Sequence, residues 1–371
     1  MVAGELSGDA HGAGLLRALI KLAPGLKIAG AGGPEMAAVA GTGLNDWVED
    51  AAVVGLWEVL KHYSWFKERF HAMLEEVLAF RPDVLVLIDY PGFNLRFAEA
   101  VRRACPDTRQ VYYISPQVWA WNRRRVPKMA GLLDEMLCLF PFEQPIFEAA
   151  GLLTKFVGHP LVDELEERRL KEVTRDDTLV GLFPGSRERE VARLFPVMLE
   201  TAKRLLTWRG DLRFKAPAAS PKLGLRMRHM VAEAKAGAHV EIVTGGSHAL
   251  MQRACCGVIA SGTATLEAAY LGLPYCLTYK VAWPTYLAGR LLVRLKHLGL
   301  VNILAGEEVV EEFIQADADA AQISVALQQF LQNPELRAKL QARLAQTAAK
   351  LGGTGAHARA AQAVAAWLPH T

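Results

Sequence analysis

Three short stretches carry side chains and backbone suited to a phosphorylated sugar. The first runs Gly-Val-Ile-Ala-Ser-Gly-Thr-Ala-Thr-Leu-Glu from Gly257 to Glu267 and on to Gly272 and Pro274. Val258 to Ala260 reads as a buried strand. Ser261-Gly262-Thr263 then opens a helix to about Leu271, which Gly272 and Pro274 end. Such a turn offers free N–H groups and the positive end of a helix dipole, which suits an anion. Glu267 falls four residues after Thr263, on the same face one turn deeper. A carboxylate there would repel a phosphate but could accept bonds from the two hydroxyls of a ribose. The pattern fits a nucleoside diphosphate, although an ordinary strand-to-helix turn has the same spacing.

The second stretch, Phe183-Pro184-Gly185-Ser186-Arg187, again joins an apolar strand to a helix. Arg187 can grip a phosphate with two N–H groups, and a helix start is a poor place for a cation without an anionic partner. The third is Asp83 to Asp89, a near-continuous apolar strand ending in a carboxylate. In open α/β sheets ligands bind beyond the carboxyl ends of the strands, so Asp89 is placed to act as general base for a hydroxyl nucleophile. A cap for the turn at Pro91-Gly92 is the structural alternative.

Positioning these groups takes two sheets. Strands are expected at Val2-Ala3, Lys27–Ala31, Asp83–Asp89, Val111–Ile114, Met136–Phe140 and Lys155–Val157. A second set follows at Leu179–Phe183, Arg213–Ala216, Val240–Val243, Val258–Ala260 and Tyr275–Thr278. Helical patterns alternate with them, which predicts α/β architecture: two doubly wound, Rossmann-like parallel sheets facing a cleft. The expected division is 1–165, 166–352 and a C-terminal helix at 353–371 packing back on an N-terminal domain. Only Val2-Ala3 reads as strand before the turn at Gly4, so the first strand reads as largely missing. Neither G-x-G-x-x-G nor G-x-x-x-x-G-K-[ST] follows any strand, which argues against a dinucleotide site or P-loop.

The 371 residues are 51% hydrophobic and 22% charged, with a net charge of +3. That composition suits a globular protein and argues against nucleic acid as partner. Five cysteines form no C-x-x-C pair, so free thiols in a reducing compartment are expected, with no metal site. No apolar run is long enough to span a bilayer. Two segments nevertheless look amphiphilic. From Thr108 to Leu133 there is no acid, and Arg123, Arg124 and Arg125 lie beside Trp119 and Trp121. From Lys280 to Gly306 there is again none, and a basic amphipathic helix over 283–298 would carry Arg290, Arg294 and Lys296. The aromatic run 53–70, with Trp57, Leu60, Trp65 and Phe66, holds more apolar surface than one helix face needs. These segments predict peripheral attachment to the inner face of the cytoplasmic membrane. His159, before a proline, and Asp9, near backbone amides, read as structural.

Taken together these segments resemble the lipid-A-disaccharide synthases over essentially the whole chain. The resemblance rests on Ala3-Gly4-Glu5-x-Ser7-Gly8-Asp9, Ile88-Asp89-x-Pro91-x-Phe93-Asn94, Ser115-Pro116-x-Val118-Trp119-Ala120-Trp121, Gly158-His159, Pro184-Gly185-Ser186-Arg187, Ala260-Ser261-Gly262-Thr263 with Glu267, and Asn302-x-Leu304-Ala305-Gly306. Val301 departs from the pattern, standing where the family usually has proline.

The resemblance implies the GT-B glycosyltransferase architecture. It also implies transfer of 2,3-diacylglucosamine from UDP to 2,3-diacylglucosamine 1-phosphate, giving a β(1→6) disaccharide with inversion and without a metal. It makes Asp89 the base. Ser186, Arg187, Ser261, Gly262, Thr263, Glu267 and Asn302 fall to UDP, and Glu5, Ser7, Arg123, Arg124 and Arg125 to the phosphorylated acceptor. A homodimer is compatible with it. Two rival readings remain: a UDP-N-acetylglucosamine 2-epimerase, for which the amphiphilic segments would have no purpose, and a non-catalytic, membrane-attached nucleotide-sugar-binding protein.

Overall fold

The computed structural model describes residues 1–48, 63–292 and 295–369. Trp57, Leu60 and Arg294 lie outside the described residues, as does the side chain of Arg290. The chain divides into two compact units, Met1–Pro160 with Gly352–Thr371, and Leu161–Leu351. The second unit therefore starts earlier than residue 166. The physical reason is the helix Leu161–Glu167: Glu166 accepts a hydrogen bond from Tyr270 at 2.6 Å, and the Arg169 guanidinium just beyond lies 5.8 Å over the Tyr270 ring.

Among the described residues the first unit holds seven parallel strands: β1 (Val2–Ala3), β2 (Gly30–Gly32), β3 (Leu44–Asp46), β4 (Val84–Ile88), β5 (Arg109–Tyr113), β6 (Glu135–Cys138) and β7 (Thr154–Phe156), in the order β3-β2-β1-β4-β5-β6-β7. The second holds six: β8 (Asp176–Phe183), β9 (Arg213–Ala218), β10 (Val240–Thr244), β11 (Ala254–Ala260), β12 (Tyr275–Tyr279) and β13 (Glu312–Ile314), in the order β10-β9-β8-β11-β12-β13. Both orders run outward in two directions from the first strand, which is the doubly wound arrangement. Helices cover the faces, so the central strands read as unbroken apolar runs: Leu85 to Ile88 and all of β11 are buried. β1, though only two residues long, pairs with both β2 and β4. The short strands β3 and β13, one at an outer edge of each sheet, were not among those expected.

Eight helices matter below: α1 (Leu6–Leu22), α2 (Pro34–Ala40), α3 (Tyr63–Phe80), α4 (Pro91–Ala104), α5 (Glu188–Trp208), α6 (Ala264–Tyr270), α7 (Trp283–Leu292) and α8 (Ala356–Ala365). α1 starts at Leu6, so Ser7 to Asp9 form its first turn with Glu5 as N-cap residue. Buried Asp9 accepts the N–H groups of Gly33, Glu35 and Met36 at 2.8, 2.9 and 3.0 Å, capping α2. That confirms its structural reading. α8 belongs to the first unit, packed on α1, and Trp367 just after it donates its indole N–H to Glu135 at 2.6 Å. The described part of α7 runs to Leu292 and residues 295–298 are not helical, short of the expected 298, so Lys296 is not on it. All five thiols are free.

Candidate active site

In the second unit the two phosphate-type turns meet. The carboxyl ends of β8, β9 and β11 open onto one cavity of about 420 Å³. Ser186, Arg187, Ser261, Gly262, Thr263 and Glu267 all line it. The turn after β11 matches expectation: α6 starts at Ala264, and Gly272 beyond it has φ +69°. Among the described residues the N–H groups of Gly262 and Thr263 donate to no protein acceptor, leaving them for an anion.

The turn after β8 is built differently from its sequence reading. Glu190 folds back so that one carboxylate oxygen accepts the N–H groups of Ser186 and Arg187, each at 3.2 Å, while the other meets the Arg187 guanidinium at 3.1 Å. Gly185 has φ +101°, and a Cβ there would lie 2.3 Å from the Glu190 carboxylate, so only glycine allows this tuck. Its amides are thus occupied, and the Arg187 side chain, 83% exposed, is the part that can reach a phosphate. An exposed pair of this kind is weak enough to exchange for a doubly charged ligand.

Glu267 is held from behind. His248 Nε2 lies 3.1 Å from one of its carboxylate oxygens, and Arg168 lies 3.1 Å from the other imidazole nitrogen. Sequence reasoning missed His248, because its partner comes from a different helix and no spacing links them. Asn302 is the opposite case. It is fully buried, its amide nitrogen donates to Val310 O and Glu312, and its oxygen accepts from Val309 and Val310 N–H, all at 2.8–3.0 Å. Both polar atoms of the Asn302 side chain are in use and it is not among the residues that line the cavity, so what it does here is brace a loop.

In the first unit Asp89 stands at the end of β4 in the left-handed region, φ +46°, followed by Tyr90 at +48°. Two buried side chains hold that conformation. Tyr112 donates its hydroxyl to the Asp89 carbonyl at 2.5 Å, and Asn94 donates to the same carbonyl at 2.8 Å and to Ile88 O at 3.1 Å. Burial pushes the Asp89 carboxyl up to about 6, the negative charge of Glu5 adds to the rise, and a Tyr90 backbone N–H opposes it. A carboxylate poised there is suited to accept a proton near neutral pH. Glu5 and Ser7 are exposed at the start of α1, beside this strand end.

The arginines form a 3₁₀ turn, Arg123–Arg125, with Arg123 and Arg124 exposed and Arg125 lying 5.3 Å over the Trp121 ring. The Arg125 charge also acts on Tyr112, which places it toward Asp89. Trp119 departs from its expected role. It is buried and donates to Glu143 at 2.9 Å, whose carboxyl burial lifts to about 7. Only Trp121 of the pair is exposed. His159 packs on Phe140, with ring centroids 5.4 Å apart, as the structural reading expected.

Trp65 and Phe66 are half-buried rather than free for a bilayer. Trp65 stacks on the fully buried Trp47 at 6.2 Å, and Phe66 meets Trp65 edge-on at 5.0 Å. Aromatic rings recover more by packing on one another than by staying in water, which is why α3 turns them inward. Phe66 also walls an open cavity of about 440 Å³ with Phe70, Tyr90 and Phe93, next to Asp89. Among the described side chains of α7, Trp283 and Leu287 are exposed large apolar ones, 58% and 57% exposed and one turn apart. Lys296 is exposed but belongs to the segment after α7.

Comparison with known proteins bears on the family and the fold. The lipid-A-disaccharide synthetase family model matches residues 1–367. The lipid-A-disaccharide synthase of Geobacter sulfurreducens is 41% identical over 372 residues, covering 97% of this chain and 94% of its own. That of Syntrophus aciditrophicus is 39% identical, covering 97% and 95%. Lipid-A-disaccharide synthase 1 of Legionella pneumophila (strain Lens) is 35% identical, covering 100% and 97%. Among solved structures, a Listeria monocytogenes protein described as a UDP-N-acetylglucosamine 2-epimerase has TM-score 0.61 at 14% identity, covering 96% of this chain and 92% of its own. The Neisseria meningitidis UDP-GlcNAc 2-epimerase bound to UDP-GlcNAc has TM-score 0.56 at 12% identity, covering 96% of each. Identities that low speak for the shared two-domain fold alone, and the epimerase reading gains nothing from them.

Proposed function

We propose how this chain works from one premise: it belongs to the lipid-A-disaccharide synthetase family and is a glycosyltransferase of lipid A biosynthesis. It moves 2,3-diacylglucosamine from UDP to the 6-hydroxyl of 2,3-diacylglucosamine 1-phosphate, leaving a β(1→6) disaccharide 1-phosphate and UDP. The observation that carries the assignment of the nucleotide is the single cavity that gathers Ser186, Arg187, Ser261, Gly262, Thr263 and Glu267. There the Gly262 and Thr263 amides and the Arg187 guanidinium take the diphosphate, and Glu267, steadied by His248, takes the ribose hydroxyls.

Asp89 acts as the base. Its carboxylate removes the proton of the acceptor hydroxyl as that oxygen attacks the anomeric carbon from the face opposite UDP. The bond from the anomeric carbon to the diphosphate oxygen breaks, and its electron pair leaves with UDP. Attack from the far face inverts the configuration, through a transition state with oxocarbenium character like that of glycoside hydrolysis. Glu5, by raising the proton affinity of Asp89, tunes it, and Arg125 with its two neighbours offers positive charge to the acceptor phosphate. The leaving group is stabilised by the amides and Arg187, so no metal is required.

We further propose cytoplasmic residence with peripheral contact to the membrane. Free thiols support the first, and exposed Trp283 and Leu287 on one face of α7 the second. Among the described residues no helix is long and apolar enough to cross a bilayer. The deciding assay is UDP release from defined diacylated substrates, with and without the phosphorylated acceptor, and with EDTA present. Acceptor-dependent release insensitive to EDTA is expected. Release without acceptor, or 2-epimerised product, would overturn the assignment.

A further inference from the structure

The second unit contains another cavity that the mechanism above leaves unused. It measures about 400 Å³ and is walled by Tyr279, Val281, Tyr286, Leu295, Leu298 and Ile314. Its place follows from the strand order. The nucleotide cavity lies beyond the ends of β9, β8 and β11, and this one lies beyond the ends of β12 and β13, next in the same row. Adjacent strands stand about 4.8 Å apart, so the two openings are neighbours along one sheet edge. The charges of Glu190, from the nucleotide cavity, and of Arg193 both reach the Tyr279 phenol, which fits that closeness.

The chemistry of the lining describes its ligand. Apart from Lys296, His297, Thr285 and the two tyrosine hydroxyls, the named walls are hydrocarbon and aromatic surface. His297 Nε2 is shut off from solvent and has no hydrogen-bond partner among the described residues. A buried polar atom left in that condition calls for a partner that the described residues do not supply. A flexible hydrocarbon chain with a carbonyl or hydroxyl near its attached end meets both needs. The wall is rigidly backed: Glu312 accepts the N–H groups of Leu298 and Gly299 at 2.9 and 2.8 Å, and Asn302 holds Glu312.

We propose that this cavity receives an acyl chain of the UDP-linked donor sugar, with His297 bonding a polar group near the chain's attached end. The inference rests on the reading of the neighbouring cavity as the nucleotide site. It makes the second unit a recogniser of both the nucleotide and the acylation of the donor, and it gives the bracing role of Asn302 a functional consequence.

Gly289 provides the test. It sits within α7, lines the cavity, and a Cβ built there meets nothing within 4 Å. Gly289→Phe and the milder Gly289→Leu therefore fill the space, and both also remove a residue that weakens helices. Dissociation constants would be measured for UDP and for UDP-2,3-diacylglucosamine on the full chain. UDP affinity should stay unchanged, while the diacylated donor weakens about tenfold or more, the loss expected when about two methylenes are kept from burial. A donor with shortened acyl chains should be affected less. Unchanged affinity for the diacylated donor in a variant that still binds UDP overturns the inference and leaves the nucleotide site standing. If Gly289→Phe loses UDP as well, it has disturbed the fold, and the same comparison on Gly289→Leu decides. A wild-type chain that does not bind UDP overturns the nucleotide reading, and the acyl cavity falls with it.

Discussion

Replacing Asp89 by asparagine should remove activity and stabilise the protein at the same time. Asparagine is the closest isostere, and of all non-glycine residues it best tolerates the left-handed φ of +46° found there. Its amide oxygen can still accept the Tyr90 N–H, but it cannot take a proton from a hydroxyl. The folded carboxyl titrates at about 6 against 3.8 for the ordinary group. At 1.36 kcal/mol per pH unit this amounts to roughly 3 kcal/mol of cost for carrying the charge, a ceiling for a half-buried group. The sign follows from which state holds the proton. Between pH 4 and 6 the folded chain keeps it while the unfolded chain has released it, so wild-type stability falls as pH rises through that window. Above it the full cost is present. The variant should therefore exceed wild type by up to roughly 3 kcal/mol at pH 7, and match it below about pH 4. Urea unfolding at several pH values measures this, and a transfer assay with a UDP-binding measurement covers function. Equal stability at pH 7 would refute the burial argument. Near-normal turnover would refute Asp89 as base.

Arg187→Ala should leave the unfolding midpoint nearly unchanged, since its pair with Glu190 is exposed, and weaken UDP by roughly 1.5–3 kcal/mol; unchanged affinity in calorimetry would remove Arg187 from the site. Asn302→Leu should cost roughly 3 kcal/mol or more in chemical denaturation, because it orphans the buried Val309 and Val310 N–H groups and takes away one of the three donors to Glu312. In whatever fraction stays folded at low temperature UDP should bind normally, and a selective loss of UDP would restore Asn302 to the nucleotide. Trp283→Ser with Leu287→Ser should reduce sedimentation with anionic vesicles while UDP affinity holds. Full retention on vesicles would exclude that face of α7 as a membrane contact.

Architecture and family were both legible in the order of the residues. Short unbroken apolar runs such as Leu85 to Ile88 fit strands covered on both faces, and their alternation with helices leaves a doubly wound parallel sheet as the natural outcome. The turns at Gly185 and Gly262 announce themselves because small residues between a strand and a helix leave few other conformations open. Asp89 is legible because a carboxylate closing an apolar strand must emerge at the sheet edge where ligands bind. What spacing cannot carry is the identity of the partner across the fold. Asn302 reads like a site residue, yet it is consumed by Val309, Val310 and Glu312. Trp119 and Trp65 read as exposed amphiphiles, yet Trp119 is buried against Glu143 and Trp65 is half-buried against Trp47. His248 reads as nothing and turns out to hold Glu267. The strands β3 and β13 escaped for a related reason: three residues at a sheet edge bury too little on either face to leave a periodic signal. Local pattern fixes which conformations a segment can adopt, but hydrogen-bond partners and burial belong to contacts between segments, and only folding the chain decides those.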